Sequence, residues 1–308
     1  MKRFHTAVAS LAAACLLSLS AAAAPAPRVV ETAVLKIEVS GQGRPMIFIP
    51  GLTVGGDVWQ GAVAHYAKRY QCHVVTLGGF AGKPRFEGPF LDSARDSLLA
   101  YLRGARLTSP VIVGHSLGGV MAMEMAIAAP DAIGPLVIID SLPFLGAAGD
   151  STATEESAKK SMEPMRQMIR SQSQEAYAAY QRQAPYLRGM VAAGPNTERV
   201  LQWATTSDRI AVADAMFDTG TRDLRQKIAA VRSPMLVLGS WYGYKDYSTR
   251  QAVEATFRSQ YAKAPHCTLA LADTARHFVM LDSPEWTWAQ MDAFLAEGGA
   301  TNVPGATR

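Results

Sequence analysis

The chain has 308 residues, of which 49% are hydrophobic and 18% are charged, and its formal net charge at pH 7 is +4. This length is enough for one large domain with an insertion. Two of the positive charges, Lys2 and Arg3, lie in a predicted leader, and no basic cluster with interleaved aromatic residues occurs elsewhere. The sequence therefore gives no support to a nucleic-acid partner.

Residues 1–24 have the layout of a secretory signal peptide. Lys2 and Arg3 precede an uncharged apolar run over residues 7–19, and small residues follow at 20–24. The apolar run is shorter than the approximately 20 residues needed to span a bilayer. We therefore expect cleavage near residues 22–24 and a periplasmic or secreted protein with no integral membrane segment in the mature chain. A lipid-modified Cys15 is the less favoured alternative, because only alanines precede it at residues 12–14.

Short apolar runs alternate with amphipathic segments along most of the chain, which predicts a mostly parallel sheet with helices on both faces. Strands are predicted at residues 34–39, 46–49, 72–77, 110–113, 136–140, 235–238 and 267–272. Helices are predicted at residues 57–70, 91–103, 117–129 and 285–295, and the tail at 298–308 is expected to be frayed.

Residues 144–230 interrupt this alternation, because more than ninety residues separate the strands ending at Asp140 and beginning at Met235. Helical segments are predicted there at residues 155–160, 164–183, 197–205, 208–217 and 223–231. Apolar side chains of this insertion either pack it onto the core or line an apolar substrate pocket. The candidate pocket residues are Met165, Met168, Tyr186, Met190, Trp203, Phe217 and, outside the insertion, Trp241.

Residues 114–119, with the sequence Gly-His-Ser-Leu-Gly-Gly, lie between a predicted buried strand and a predicted helix. Gly114 and Gly118 remove side chains that would collide around a sharp turn at Ser116. The segment resembles the nucleophile elbow of the α/β-hydrolase fold. That resemblance implies an eight-stranded, mostly parallel sheet formed by residues 28–143 and 231–297, with residues 144–230 as a helical lid.

A serine hydroxyl needs an adjacent base to act as a nucleophile at neutral pH. Of the five histidines outside the leader, His277 follows the last predicted strand and precedes an apolar stretch, Asp282 and Pro284. This segment resembles the one that carries the catalytic histidine of the family, with Arg276 where the family often has glycine. The resemblance implies that His277 is the base, whereas His115, inside the elbow, is interpreted as structural.

The acid of the implied Ser-His-Asp triad has two candidates. The family usually takes it from the loop after the strand that ends near Leu238, where Asp246 is the first acidic residue. Asp140, at the end of the preceding strand, is a site that some relatives use instead. The sequence favours Asp246 and keeps Asp140 as the alternative.

The resemblance also implies two backbone donors for an oxyanion, the N–H groups of Leu117 and Leu52. It implies a cofactor-free serine hydrolase that cleaves a carboxylic ester or similar small acyl compound, and the leader predicts that this enzyme is exported. An acyltransferase using the same serine, or a non-catalytic binding protein on this fold, is the alternative. No metal is expected, because the sequence contains no H-E-x-x-H motif, paired C-x-x-C or compact His/Asp cluster.

Cys72 and Cys267 remain after the leader is removed. In the implied sheet their strands are separated by several others at about 4.8 Å each. A disulfide requires Cα atoms within about 7 Å of each other. We therefore predict two free thiols.

Overall fold

The computed structural model describes residues 28–192 and 194–298, which form an eight-stranded sheet flanked by helices. The strands are β1 (Arg28–Glu31), β2 (Leu35–Gly41), β3 (Arg44–Ile49), β4 (Tyr70–Leu77), β5 (Val111–His115), β6 (Leu136–Ile139), β7 (Met235–Ser240) and β8 (Cys267–Ala272). Their spatial order is β1-β2-β4-β3-β5-β6-β7-β8. β2 pairs antiparallel with β1 and β4, and all other neighbours are parallel. The predicted α/β fold is confirmed.

Helices cover both faces of the sheet or lie between β6 and β7. They are α1 (Gln60–Tyr66), α2 (Phe90–Gly104), α3 (Leu117–Ala128), α4 (Glu155–Ser171), α5 (Gln174–Gln183), α6 (Pro185–Gly189), α7 (Pro195–Thr206), α8 (Arg209–Thr221), α9 (Arg250–Gln260), α10 (Val279–Asp282) and α11 (Pro284–Gly298). Short 3₁₀ helices occur at Gly56–Trp59, Leu145–Ala147, Lys227–Ala230 and Tyr242–Tyr244.

The central strands bury both of their faces, as their uninterrupted apolar sequences require. In β3, Ile47 and Ile49 belong to a core shared with α2 and α3. Met46 and Phe48 point to the opposite face and pack into a second core with Trp59 and residues of α1 and α11. Alternate side chains of β3 thus pack into two hydrophobic layers, one on each face of the sheet. The resulting sheet fixes the parallel strand ends from which the site is built.

Helices α4 to α8 form the insertion between β6 and β7. α4 is continuous through Pro164, although the sequence predicted a break at residues 161–163 and a new helix beginning at Pro164. Pro164 is exposed, so water can solvate the backbone carbonyl that the missing N–H leaves free. The helix predicted at residues 223–231 is only a 3₁₀ turn. The Arg225 guanidinium holds this segment in place by donating hydrogen bonds to the Asp223 carboxylate and to the Ser151 and Ala153 carbonyls.

Cys72 and Cys267 are free, and four strands separate β4 from β8. Burial raises the pKa of both thiols to about 11. The predicted signal peptide, residues 1–24, and nearly all of the predicted frayed tail, residues 299–308, lie outside the described residues. Within the described part of the chain, every helix is too short or too polar to cross a membrane.

Candidate active site

Ser116 lies in a strained turn between β5 and α3. Its backbone has φ 53° and ψ −120°, a conformation that costs a non-glycine residue about 1–3 kcal/mol. A Cβ atom on Gly118 would lie 2.3 Å from the Ile49 carbonyl oxygen, and one on Gly114 would lie 2.2 Å from the Gly118 carbonyl oxygen. Close backbone packing therefore holds the turn and leaves Ser116 half-buried at the carboxyl edge of the sheet.

His277 and Asp140 meet at the same edge, because β8 and β6 both end there. His277 Nδ1 lies 2.7 Å from Asp140 Oδ2. A carboxylate only accepts hydrogen bonds, so Nδ1 carries a proton, and the neutral form of the ring has its lone pair on Nε2. Ser240 holds the carboxylate from the other side, with its N–H 2.7 Å from Oδ1 and its hydroxyl 3.0 Å from Oδ2. Asp140 is 8% exposed and thus fixes one orientation of the imidazole.

The preference for Asp246 as the partner of His277 is wrong in the structure. The Asp246 side chain is 78% exposed, and its carboxylate lies 2.8 Å from Lys245 Nζ. That hydrogen bond and the ammonium charge lower the pKa of Asp246. After β7 the chain turns at once into the 3₁₀ helix Tyr242–Tyr244, which carries Asp246 out to solvent. The carboxylate that reaches His277 is the alternative, Asp140.

His115 connects the serine turn to the histidine segment. The His115 and His277 rings have centroids 4.6 Å apart, and His115 directly precedes Ser116. Among the described residues, neither the Ser116 hydroxyl nor His277 Nε2 has a hydrogen-bond partner. Both groups are therefore available, and in unliganded enzymes such bonds often tighten only when substrate is bound.

The two predicted oxyanion donors border the serine. Leu117 is the first residue of α3, so its N–H has no acceptor within the helix and lies at the positive end of the helix dipole. Leu52 lies in the turn after β3, beside Gly51, on which a Cβ atom would be 3.1 Å from Ser116 Cβ. The next residue, Thr53, has φ 67°, and the buried Ser207 hydroxyl lies 3.1 Å from its carbonyl oxygen.

The predicted pocket residues fall into two sets. Met190 and Trp203 lie beside the histidine segment: the Met190 carbonyl accepts the Phe278 N–H at 3.2 Å, and the Trp203 ring is 6.3 Å from the Phe278 ring. Trp203 also donates to Asp57, which ties α7 to the core.

The other predicted pocket residues make different contacts. Met165 and Met168 are half-exposed on α4, while Arg166 covers the Phe217 ring. The Tyr186 hydroxyl donates to Gln181. Trp241 is half-buried, and its indole Nε1 has no partner among the described residues. None of these contacts joins the side chains into one wall around Ser116.

Asp282 is a site residue whose role the sequence did not reveal. Its carboxylate accepts the N–H of Arg276 at 2.9 Å and the N–H of Ala192 at 3.0 Å, so it joins the histidine segment to the insertion. Burial raises the pKa of this carboxyl group. Ser240 was missed in the same way. Ser240 ends β7, and Asp140 follows the neighbouring strand β6, but this neighbourhood is known only from the sheet order.

Within residues 28–192 and 194–298, no three His, Cys, Asp or Glu side chains are grouped closely enough to hold a metal ion. The polar groups that meet at the sheet edge are instead a hydroxyl, an imidazole and a carboxylate, together with backbone N–H donors. Such a set can activate a nucleophile, shuttle one proton and stabilise negative charge on an oxygen.

The model of the alpha/beta hydrolase family matches residues 46–290. The chain belongs to this family. It is similar to the pimeloyl-(acyl-carrier protein) methyl ester esterase of Nitrosomonas europaea, with 28% identity over 84% of this chain and 98% of that enzyme. The esterase of the same name from Vibrio cholerae is 30% identical over 38% of this chain, a match that spans only 45% of that enzyme.

A solved hydrolase from Pseudomonas aeruginosa has the same fold, with a TM-score of 0.72 over 87% of this chain and 98% of the other. Its sequence identity is 16%, so this likeness concerns the fold alone.

Proposed function

We propose that this protein hydrolyses a carboxylic ester, or a similar small acyl compound, through an acyl-enzyme on Ser116. The observation that carries the proposal is the His277–Asp140 contact at 2.7 Å, at the sheet edge where the strained turn presents Ser116. His277 Nε2 takes the proton of the serine hydroxyl as the oxygen attacks the acyl carbon. Asp140 stabilises the imidazolium that forms.

The Leu117 and Leu52 N–H groups would hold the developing oxyanion, and each such donor is worth about 2.7–4 kcal/mol in the transition state. Collapse of the tetrahedral intermediate expels the alcohol, which takes the proton from His277. Water then attacks the acyl-enzyme with His277 as base, and free acid leaves. The helical insertion, residues 144–230, would act as a lid that binds the acyl chain. The esterase activity named for the relatives supports this reaction class.

The leader composition supports export, so we place this reaction in the periplasm or outside the cell. Lys2, Arg3 and the apolar run at residues 7–19 carry this part of the proposal. Amino-terminal sequencing of the protein isolated from an expressing cell tests it. A mature chain that begins near residues 23–25 is expected, whereas a chain that still begins at Met1 contradicts export.

A serine-reactive fluorophosphonate tests the nucleophile. The wild type is expected to label, Ser116→Ala is expected not to, and Ser259→Ala, which removes an exposed hydroxyl on α9, is expected to label like the wild type. A folded wild type that fails to label would favour a non-catalytic binding protein. Chromogenic esters of increasing acyl length, assayed with and without added alcohol, then give chain preference and separate hydrolysis from acyl transfer.

A further inference from the structure

His115 is next to the nucleophile in the chain and contacts the base in space. It ends β5, directly before Ser116, and its side chain is 0% exposed. Its Nε2 lies 3.0 Å from the backbone carbonyl oxygen of His277. A carbonyl oxygen only accepts, so Nε2 carries the proton and donates it to that carbonyl. One hydrogen bond therefore joins the residue before Ser116 to the main chain of His277.

The rest of the His115 ring is enclosed. Nδ1 is buried without a hydrogen-bond partner among the described residues, and a Cβ atom on Gly51 would lie only 2.9 Å from it. On the other side the ring packs against His277, at 4.6 Å between centroids, and Phe278, at 4.9 Å. Burial, and next the charge of a protonated His277, hold the pKa of His115 well below its usual range. His115 is thus a neutral donor of fixed tautomer.

The main chain beside His277 also has other contacts. The Phe278 N–H donates to the Met190 carbonyl of the insertion, and the Arg276 N–H donates to Asp282 in α10, whose carboxylate also accepts the Ala192 N–H of the insertion. His115 supplies the contact from the strand that carries the nucleophile. Because the covalent path from Ser116 to His115 is a single peptide unit, the His115 bond sets the separation of the two reacting side chains more directly than the contacts to the insertion do.

We infer that His115 is the positioning residue of the base: its Nε2–H fixes the His277 backbone so that Nδ1 meets Asp140 while Nε2 faces Ser116. The inference rests on the proposed function for the role of His277, but the placement of the imidazole can be tested without activity. A displacement of about 1 Å at a reacting group can cost about 100-fold in rate, so loss of this bond should appear in kcat.

Two substitutions of His115 by side chains of equal length distinguish loss of the hydrogen bond from loss of packing. In His115→Gln the amide nitrogen can reach the place of Nε2 and donate to the His277 carbonyl, whereas His115→Met fills the site without a donor. We expect His115→Met to lower kcat by about 10- to 100-fold with KM within about twofold of the wild type. We expect His115→Gln to stay within about fivefold in kcat. Thermal unfolding by circular dichroism confirms that both variants are folded.

Spectra of protein with ¹⁵N-labelled histidine give a readout that does not need turnover. We expect the wild type and His115→Gln to show His277 protonated at Nδ1, and His115→Met to show a mixture of tautomers. Equal kcat for His115→Met and the wild type, or equal losses in both folded variants, would overturn the inference. If the wild type is inactive and unlabelled by the phosphonate, the proposed function fails by itself. The spectra then decide, and an unchanged His277 tautomer in His115→Met overturns the positioning role.

Discussion

Replacing Asp140 by asparagine should nearly abolish activity, because the surrounding donors dictate how the new amide is oriented. The Ser240 N–H, 2.7 Å from Oδ1, requires an acceptor at that position. The amide oxygen of asparagine must therefore occupy the Oδ1 position, and its NH₂ group replaces Oδ2, 2.7 Å from His277 Nδ1. There the NH₂ group donates to Nδ1, which forces the His277 proton onto Nε2. An imidazole in this tautomer cannot accept the Ser116 proton.

The same substitution in serine proteases lowers kcat by about 10⁴-fold, which corresponds to about 5 kcal/mol of transition-state stabilisation. We expect a loss of this size for Asp140→Asn in steady-state hydrolysis of a chromogenic ester. Asp246→Asn is the matched control, and it should change kcat less than about twofold, because Asp246 is exposed and its carboxylate binds the exposed Lys245. A larger loss in Asp246→Asn, or a folded Asp140→Asn within about tenfold of the wild type, would refute this reasoning.

Three further predictions concern the fold. Gly118→Ala should destabilise the protein by about 1–3 kcal/mol and lower kcat. The control is Gly104→Ala, whose Cβ would meet nothing within 4 Å, and it should leave both stability and kcat unchanged. Urea denaturation measures the stability of each variant, and ester hydrolysis measures its kcat. Burial, and next the charge of Arg28, lower the pKa of His73 from 6.5 to about 4. In this pH range the unfolded chain binds a proton at residue 73 that the native chain does not bind. The contribution of His73 to the free energy of unfolding should therefore fall by roughly 1.5 kcal/mol between pH 6.5 and 5, and His73→Asn should remove that part of the pH dependence. A thiol reagent added to the denatured mature chain without reductant should count two thiols, Cys72 and Cys267, and a count of zero would contradict their separation.

The turn at Ser116 could be predicted from the sequence because its signals are local. Glycine on both sides, an apolar strand before it and a helix former after it lie within about twenty residues. The observed close approaches at Gly114 and Gly118 are those that the pattern requires. His277 could be singled out in the same way, by its position after the last strand and before Asp282 and Pro284.

The partner of His277 could not be predicted because it depends on tertiary register. Asp140 and Asp246 both follow strands that end at the same sheet edge, and the length of the loop after β7 decides which of them reaches the ring. The loop sequence does not reveal that residues 242–244 form a 3₁₀ turn that exposes Asp246. The left-handed backbone of Asp140, with φ 45°, is likewise visible only in the structure.

The role of His115 escaped the sequence for a different reason. Inside the elbow pattern its position accepts many residues, so the motif gives it no function. His115 contacts the backbone of His277, 162 residues away. Every residue has a backbone carbonyl, so the sequence of that segment does not reveal which carbonyl accepts this hydrogen bond. The pocket residues of the insertion could not be predicted from the sequence either. Met165 and Met168 have the helical spacing that is typical of a buried face, but they are half-exposed on α4.

Covalent capture of the intermediate tests the central claim most directly. The protein is mixed with excess chromogenic ester, quenched in acid within milliseconds to seconds, and digested for mass spectrometry. We predict that the peptide containing Ser116 gains the mass of the acyl group, with a burst of about one alcohol released per protein molecule. Sustained ester turnover with Ser116 unmodified at every quench time, and undiminished in Ser116→Ala, would contradict the account.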